Sequence, residues 1–202
     1  TMRNEAEVNA GRPPYITQEE LLKWQQGAPG YKSYDYYDEV FDKYATQYQT
    51  TLSLEGGTEK LSYYGSIGYA DDNSFLKTNS INYNKYTFRS NVSLKVAKGL
   101  TASVNIGGRY DTGVKPYTPF FDIFKSTRVN PPTEPIYAND NPNYYNNFAS
   151  VINPMALSDS ETTGDITNTN RNIQSQFILE YDVPFVKGLT VKGTLGYDYN
   201  SQ

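Results

Sequence analysis

Between Tyr86 and Tyr110 the chain alternates apolar and polar positions with period two, breaks at Ala97, Lys98 and Gly99, and then alternates again. Before the break Tyr86, Phe88, Val92, Leu94 and Val96 share one parity, and Lys85, Thr87, Arg89, Asn91, Ser93 and Lys95 the other. Successive side chains of a strand point to opposite faces, so the run predicts a strand with one apolar and one wet face. After the break Leu100, Ala102, Val104, Ile106 and Tyr110 oppose Thr101, Ser103, Asn105 and Arg109, which predicts the return strand of a hairpin. The pattern recurs further on: Ile173, Phe177, Leu179, Tyr181 and Val183 alternate with polar residues, the chain turns at Val186, Lys187 and Gly188, and Leu189, Val191, Leu195, Tyr197 and Tyr199 return. A third pair precedes both. It turns through Gly56, Gly57, Thr58 and Glu59, and Leu61, Tyr63, Ile67 and Tyr69 share a face of its second strand.

The predicted hairpins therefore cover 45–70, 84–110 and 171–200, joined by a break near 71–82 and a long loop over 111–170 rich in Pro, Asn, Asp and Tyr. The first, third and fifth connections are short and the second and fourth long, which in an up-and-down sheet puts all short turns on one rim. Outer-membrane barrels have that asymmetry, and their strands run to about 9–11 residues, longer than globular strands. The expected fold is all-β: an antiparallel up-and-down transmembrane β-barrel segment of about six strands, an incomplete barrel, after a mostly irregular and helical N-terminal region. In that region Thr17 and Glu20 form a capping box ahead of Leu21, Leu22 and Trp24, so a helix is predicted over 18–26, with a second short one near Tyr36 to Lys43.

Composition supports the barrel over an ordinary core. Only 37% of residues are hydrophobic, and twenty tyrosines outnumber nine phenylalanines and one tryptophan. Mean hydropathy is -0.68. A barrel wall needs one apolar residue in two, and tyrosine suits the belts where lipid meets water. No segment has the roughly 20 apolar residues of a membrane helix. The chain opens Thr1-Met2-Arg3-Asn4-Glu5 with no apolar signal region, as expected of a mature chain or an excised piece.

Without histidine or cysteine, Ser-His-Asp, Cys-His and imidazole-zinc arrangements are excluded. A net charge of -4 offers no basic surface for nucleic acid. Carboxylates are scattered, and the acidic loops Asp71-Asp72-Asn73 and Asp159 to Asp165 lack EF-hand spacing, so solvated loops are the simpler reading than calcium sites. Gly56-Gly57 and Gly107-Gly108 read as a turn and a strand irregularity. No cofactor and no catalytic step are expected.

Five segments, in order, carry a family resemblance. Tyr36-Tyr37-Asp38-Glu39-Val40-Phe41 precedes Leu54-Glu55-Gly56-Gly57-Thr58-Glu59-Lys60 with Ile67-Gly68-Tyr69. Then come Tyr86-Thr87-Phe88-Arg89-Ser90-Asn91, Asn153-Pro154-Met155-Ala156, and Lys187-Gly188-Leu189 with Tyr197-Asp198. Together they resemble the opening barrel strands of the SusC/RagA branch of TonB-dependent outer-membrane transporters. The resemblance implies that residues 1–44 link a plug to the barrel and that 45–202 are part of a barrel of about 22 strands. It further implies an outer-membrane location, a TonB system and a SusD-like surface lipoprotein as partners, and a glycan, oligopeptide or similar nutrient as cargo.

The roles expected of single residues follow parity. Phe88, Val92, Leu94, Val104, Ile106, Phe177, Leu179, Val191 and Leu195 are expected to face lipid, and Arg89, Lys95, Arg109 and Lys192 the polar lumen. Tyr117, Phe120, Phe121, Tyr137, Tyr144 and Tyr145 are the candidates for touching ligand or partner, against the simpler reading that they pack the long loop onto itself. The rival fold is a soluble, tyrosine-rich β-sandwich that binds carbohydrate. A surface enzyme or adhesin module comes third.

Overall fold

The computed structural model describes residues 1–147 and 152–202 and separates them into two compact units. One, residues 42–117 and 164–202, carries a single antiparallel sheet. Its strands are β1 (Gln47–Gly57), β2 (Leu61–Asn73), β3 (Asn82–Ala97), β4 (Leu100–Pro116), β5 (Asp165–Asp182) and β6 (Thr190–Ser201). Their spatial order equals their sequence order, so each connection returns directly to a neighbour and the sheet is an open, up-and-down barrel segment, the fold expected from the alternation. Among the described residues β1 and β6 each leave one edge unpaired.

The turns show why the pairs close where they do. At the first, the Thr58 hydroxyl accepts from the amides of Lys60 and Leu61, and a Cβ on Gly57 would strike the Leu61 carbonyl. At the second, Gly99 takes a left-handed φ of 72°, open to glycine at no steric cost. The fifth connection, 183–189, is almost as long as the second, 74–81, so the contrast between rims rests chiefly on the fourth, which leaves β4 at Pro116 and re-enters β5 at Asp165.

The strands outrun the alternating pattern. β4 continues past Tyr110 to Pro116, and β5 begins at Asp165. Register is continuous through Gly107 and Gly108, and the break in pairing falls at Lys95/Ala97 instead. The expected irregularity at the glycines is thus absent. Gly108 lies opposite Phe88, and an added Cβ would run into the Phe88 ring. Gly56 lies likewise under the ring of Tyr63. Both glycines let an aromatic ring cover bare backbone across the ladder.

The other unit, residues 1–41 and 118–163, is mostly helix and turn. It contains α1 (Met2–Asn9), α2 (Gln18–Gln26), α3 (Tyr36–Val40), α4 (Phe120–Val129), α5 (Pro154–Ser158) and α6 (Ser160–Thr163). The N-cap half of the expected capping box forms at α2: Thr17 accepts from the Glu20 amide, and Gly27 ends the helix in left-handed conformation. The core here is small and fully closed. Val40 and Ile123 have no exposed surface, Ile136 has 2%, and Tyr36 packs against Ile136 with Tyr34, Tyr137 and Met155 around them. Among the described residues no helix is long and apolar enough to cross a membrane.

Candidate functional site

The sheet presents its chemistry as two faces, and the register settles which residues share them. In an antiparallel ladder directly opposed residues point the same way. One face is therefore continuous from Leu52 through Ile67 and Phe88 to Gly108 and Ile173. A parallel row runs through Val92, Val104, Phe177 and Leu195, and another through Leu94, Ala102 and Leu179. Every residue expected to face lipid lies on this face. All nine are substantially exposed, from 37% for Ile106 to 71% for Leu195. In a sandwich these side chains would form the core beneath a second sheet. Here the broad apolar face is uncovered.

Aromatic rings edge it. Tyr69, Tyr86 and Tyr110 are directly opposed on β2, β3 and β4, with centroids 5.0 and 6.3 Å apart. Tyr48 joins them from β1 at 6.2 Å from Tyr69, and the Arg171 guanidinium lies 5.8 Å from the centre of the Tyr110 ring. One step beyond, the same face turns polar. The Tyr69 hydroxyl donates to Asn84 at 2.8 Å and Asp71 at 3.2 Å. Asn73 donates to Asp71, and Asn82 to Asn73 and Asp71. This row was not singled out from the sequence, yet a signal existed: Tyr86 and Tyr110 are equidistant from the Lys98 turn, which a hairpin must place opposite each other.

The opposite face is mostly polar, with Ile166 and Ile178 on β5 as its large aliphatic exceptions. It carries Arg89, Lys95, Arg109 and Lys192, all exposed. Lys192 pairs with Glu180 at 2.9 Å. Arg109 donates to Asp111 at 2.6 Å and to the Tyr83 hydroxyl at 2.8 Å, and Asn170 donates to the other Asp111 oxygen at 2.9 Å. Asp111 is only 2% exposed, and these partners offset the cost of burying its charge. Ser103 bonds Ser93, and Asn105 bonds Gln176, so the middle of this face is a ladder of uncharged hydrogen-bonding groups.

The six loop aromatics do not form one cluster. Tyr137 and Tyr145 stack at 5.7 Å across a bridge in which the Ala138 amide donates to Tyr144 and the Asn146 amide to Ile136. The Tyr145 hydroxyl donates to Asp159 at 2.9 Å. Burial and that carboxylate raise the Tyr145 phenol well above its usual range. Phe120 and Phe121 lie on α4, where Phe120 meets Phe41 at 5.9 Å. Tyr117 follows the end of β4. Tyr117, Phe121 and Tyr144 are the open ones, at 65–70% exposure.

Asn153 explains the Asn-Pro motif. Its carboxamide oxygen caps α5 through the amides of Met155 and Ala156. Its nitrogen donates to the carbonyls of Ile136 and Asn146 at 2.7 and 3.1 Å, and Pro154 occupies the first helical position, where its missing N–H costs nothing. Tyr36 plays a similar part, donating to the carbonyls of Pro131 and Glu134. Burial raises its phenol to about 12. Among the described residues no group of three or more carboxylates is placed to hold a metal ion.

No protein-family model matches the chain. It is similar to curated TonB-dependent receptors. Two come from Formosa agariphila, one 26% identical over 76% of this chain and 14% of the relative, the other 27% identical over 85% and 16%. A third, the TonB-dependent receptor SusC of Bacteroides thetaiotaomicron, is 24% identical over 82% of this chain and 18% of its own length. The chain thus spans under a fifth of the relatives it matches, and these similarities support a SusC-like TonB-dependent receptor segment.

Proposed function

We propose that this chain supplies wall and outer loops to an outer-membrane TonB-dependent transporter. The observation that carries the reading is the continuous apolar face, exposed and edged by tyrosines, backed by a mainly polar face on the same six strands. Hydrocarbon outside and water inside is the environment such a sheet requires. The opposing soluble sandwich is disfavoured because nothing among the described strands covers that face.

In the intact protein the polar face would line the lumen, with Arg89, Lys95, Arg109 and Lys192 set among uncharged amides and hydroxyls. Cargo too large for simple pores, a glycan or an oligopeptide, would pass along hydrogen-bonding groups of this kind. The exposed aromatics Tyr117, Phe120, Phe121 and Tyr144 are the first places for ligand or partner to touch, since rings stack on sugars and anchor interfaces, and Tyr137 and Tyr145 would hold the loop that presents them. A TonB system acting on a plug and a SusD-like surface lipoprotein are the partners this reading calls for. The contribution is passive, with no chemical step.

The test is a single-cysteine scan at Val92, Ser93, Leu94 and Lys95 in the full-length protein in lipid, with a spin label read against oxygen and a water-soluble nickel chelate. Oxygen access at Val92 and Leu94, alternating with chelate access at Ser93 and Lys95, is the expected result. Shielding of Val92 and Leu94 from both would place them in a protein core and overturn the wall.

A further inference from the structure

Two independent features of the chain fix the rim at which residues 1–41 join the sheet. The first is the register. Gln47, where β1 begins, is opposite Asp72, and Gly57, where it ends, is opposite Ser62. Across the ladder Asp72 is opposite Tyr83, Tyr83 opposite Gly113, and Gly113 opposite Asn168. The end at which β1 begins is thus the end that carries the 74–81 connection and the long one between β4 and β5. The chain ahead of β1 keeps to it: the Asn73 amide donates to the Thr46 carbonyl at 3.0 Å and the Asp42 amide to the Phe75 carbonyl at 2.6 Å. The turns at Thr58, Gly99 and 183–189 all lie at the other end.

The second is the make-up of the closed core. Residues 1–41 and 118–163 fold as one unit, and each segment supplies what the other lacks. The Tyr34 amide donates to the Pro132 carbonyl at 2.8 Å, and the Tyr36 hydroxyl to the carbonyls of Pro131 and Glu134. Phe41 meets Phe120 and Phe124 at 5.9 and 6.3 Å, and the Arg128 guanidinium lies 5.0 Å from the centre of the Tyr37 ring. Of the residues most deeply buried, Tyr36 and Val40 come from the first segment and Ile123 and Ile136 from the second. The eleven residues of β1, at about 3.4 Å each, hold the two rims roughly 37 Å apart, far beyond the reach of such contacts.

We infer that residues 1–41 belong to the cell-surface body of the transporter, folded with the long loop on the outer side of the membrane and away from the side on which a TonB system acts. The inference rests on the wall reading above, because outer-membrane barrels keep their short turns in the periplasm and their long loops outside. The wall by itself leaves the side of residues 1–41 open. Register and shared core assign it. The link between plug and wall that the family resemblance implies is then made on the outer side, and a cargo or partner arriving from outside has α1 and α2 on its own side of the membrane. The placement also gives α3 a task. A loop as long as 118–163 needs a small core to be ordered, and α3 supplies part of it, so the loop is shaped before any ligand arrives.

The test is surface labelling of the full-length transporter in intact bacteria, with a polyethylene-glycol maleimide too large to pass porins. Single cysteines replace Glu5 and Gln25 in the first segment, Asn143 in the long loop, and Glu59 and Lys98 in two short turns, all exposed positions. The expected result is that Glu5→Cys and Gln25→Cys react on intact cells to the same extent as Asn143→Cys, while Glu59→Cys and Lys98→Cys react only once the outer membrane is opened. Reaction of Glu5→Cys and Gln25→Cys only after opening, with Asn143→Cys still reactive on intact cells, would overturn the outer placement and leave the wall standing. Equal reaction of Asn143→Cys and Lys98→Cys on intact cells would remove the wall reading and this inference with it. Should either N-terminal cysteine stay unreactive even after opening, an epitope inserted after Arg12 and read by antibody on intact cells decides the same question: binding supports the placement, and binding only after opening overturns it.

Discussion

The strands of the sheet unit and the core of the helical unit hold their large apolar side chains at opposite extremes of exposure. In the sheet Val92, Phe177 and Leu195 lie open at 38, 41 and 71%, whereas in the helical unit Val40, Ile123 and Ile136 lie at 0, 0 and 2%. The sheet is ordered by ladder bonds and cross-strand pairs and leaves one face for another solvent. The helical unit is ordered by a small closed core and by side chains that satisfy loop carbonyls. One chain thus contains an open apolar face and a small closed core.

The sharpest way to break this contrast is to open the closed core. Ile123→Ala should cost about 2–5 kcal/mol, since it deletes methylenes from a site with no exposed surface. Hydrogen exchange on the full-length protein in lipid should show faster exchange in residues 118–147 and unchanged protection in β2 to β5. Equal loosening of the sheet amides would mean that the two units are one cooperative body.

Next in size is a charge on the open face. Val92→Lys should cost about 2–4 kcal/mol at mid-membrane depth, while Ser93→Lys, next in sequence but on the wet face, should cost under about 1 kcal/mol. Reversible denaturant unfolding in vesicles would measure both. Similar costs for the pair would show that the faces do not see different solvents.

Asn153→Ala comes third. It leaves the carbonyls of Ile136 and Asn146 without their carboxamide donor and removes the α5 cap, at about 1–3 kcal/mol. The damage should appear as faster exchange over residues 136–146 and 154–158. An unaffected loop would mean that stacking of Tyr137 on Tyr145 holds it without Asn153.

These differences also explain how much could be read in advance. Where the chain alternates, as from Tyr86 to Tyr110 and from Ile173 to Tyr199, the strands and both their parities were legible from residues such as Val92 and Ser93, while β1 was legible only as an extended segment. Outside that alternation the constraint vanishes: from Asp165 to Asn170, Ile166 is the single apolar residue, so the start of β5 carries no period. Helix α4 escaped for another reason. Its buried positions include Ser126 and Thr127 while Phe121 and Val129 are exposed, which inverts the pattern that marks a helix. Asn153 and Asp159 matter through partners distant in sequence, and no local spacing announces them. The tyrosine row was half legible, since turn symmetry pairs Tyr86 with Tyr110, but its continuation to Tyr69 needs the register of β2 on β3.

The smallest expected effect tests the helical unit through pH. The Tyr36 phenol, held at about 12 by burial against an ordinary value near 10, is neutral in folded and unfolded chains alike below about pH 10. As pH rises further the unfolded chain releases this proton first, so the stability the neutral phenol contributes is lost progressively between about 10 and 12. Exchange over residues 131–137 should therefore accelerate across that window beyond the ordinary base-catalysed rise. Tyr36→Phe should abolish the excess while costing about 0.5–1.5 kcal/mol at neutral pH for the hydrogen bonds to Pro131 and Glu134. Tyr145, also raised, acts in the same direction, so the Tyr36→Phe, Tyr145→Phe pair separates the two contributions. A persistent alkaline step in that double variant would locate the sensitivity outside these two phenols and remove them as the pH-dependent ties of the closed core.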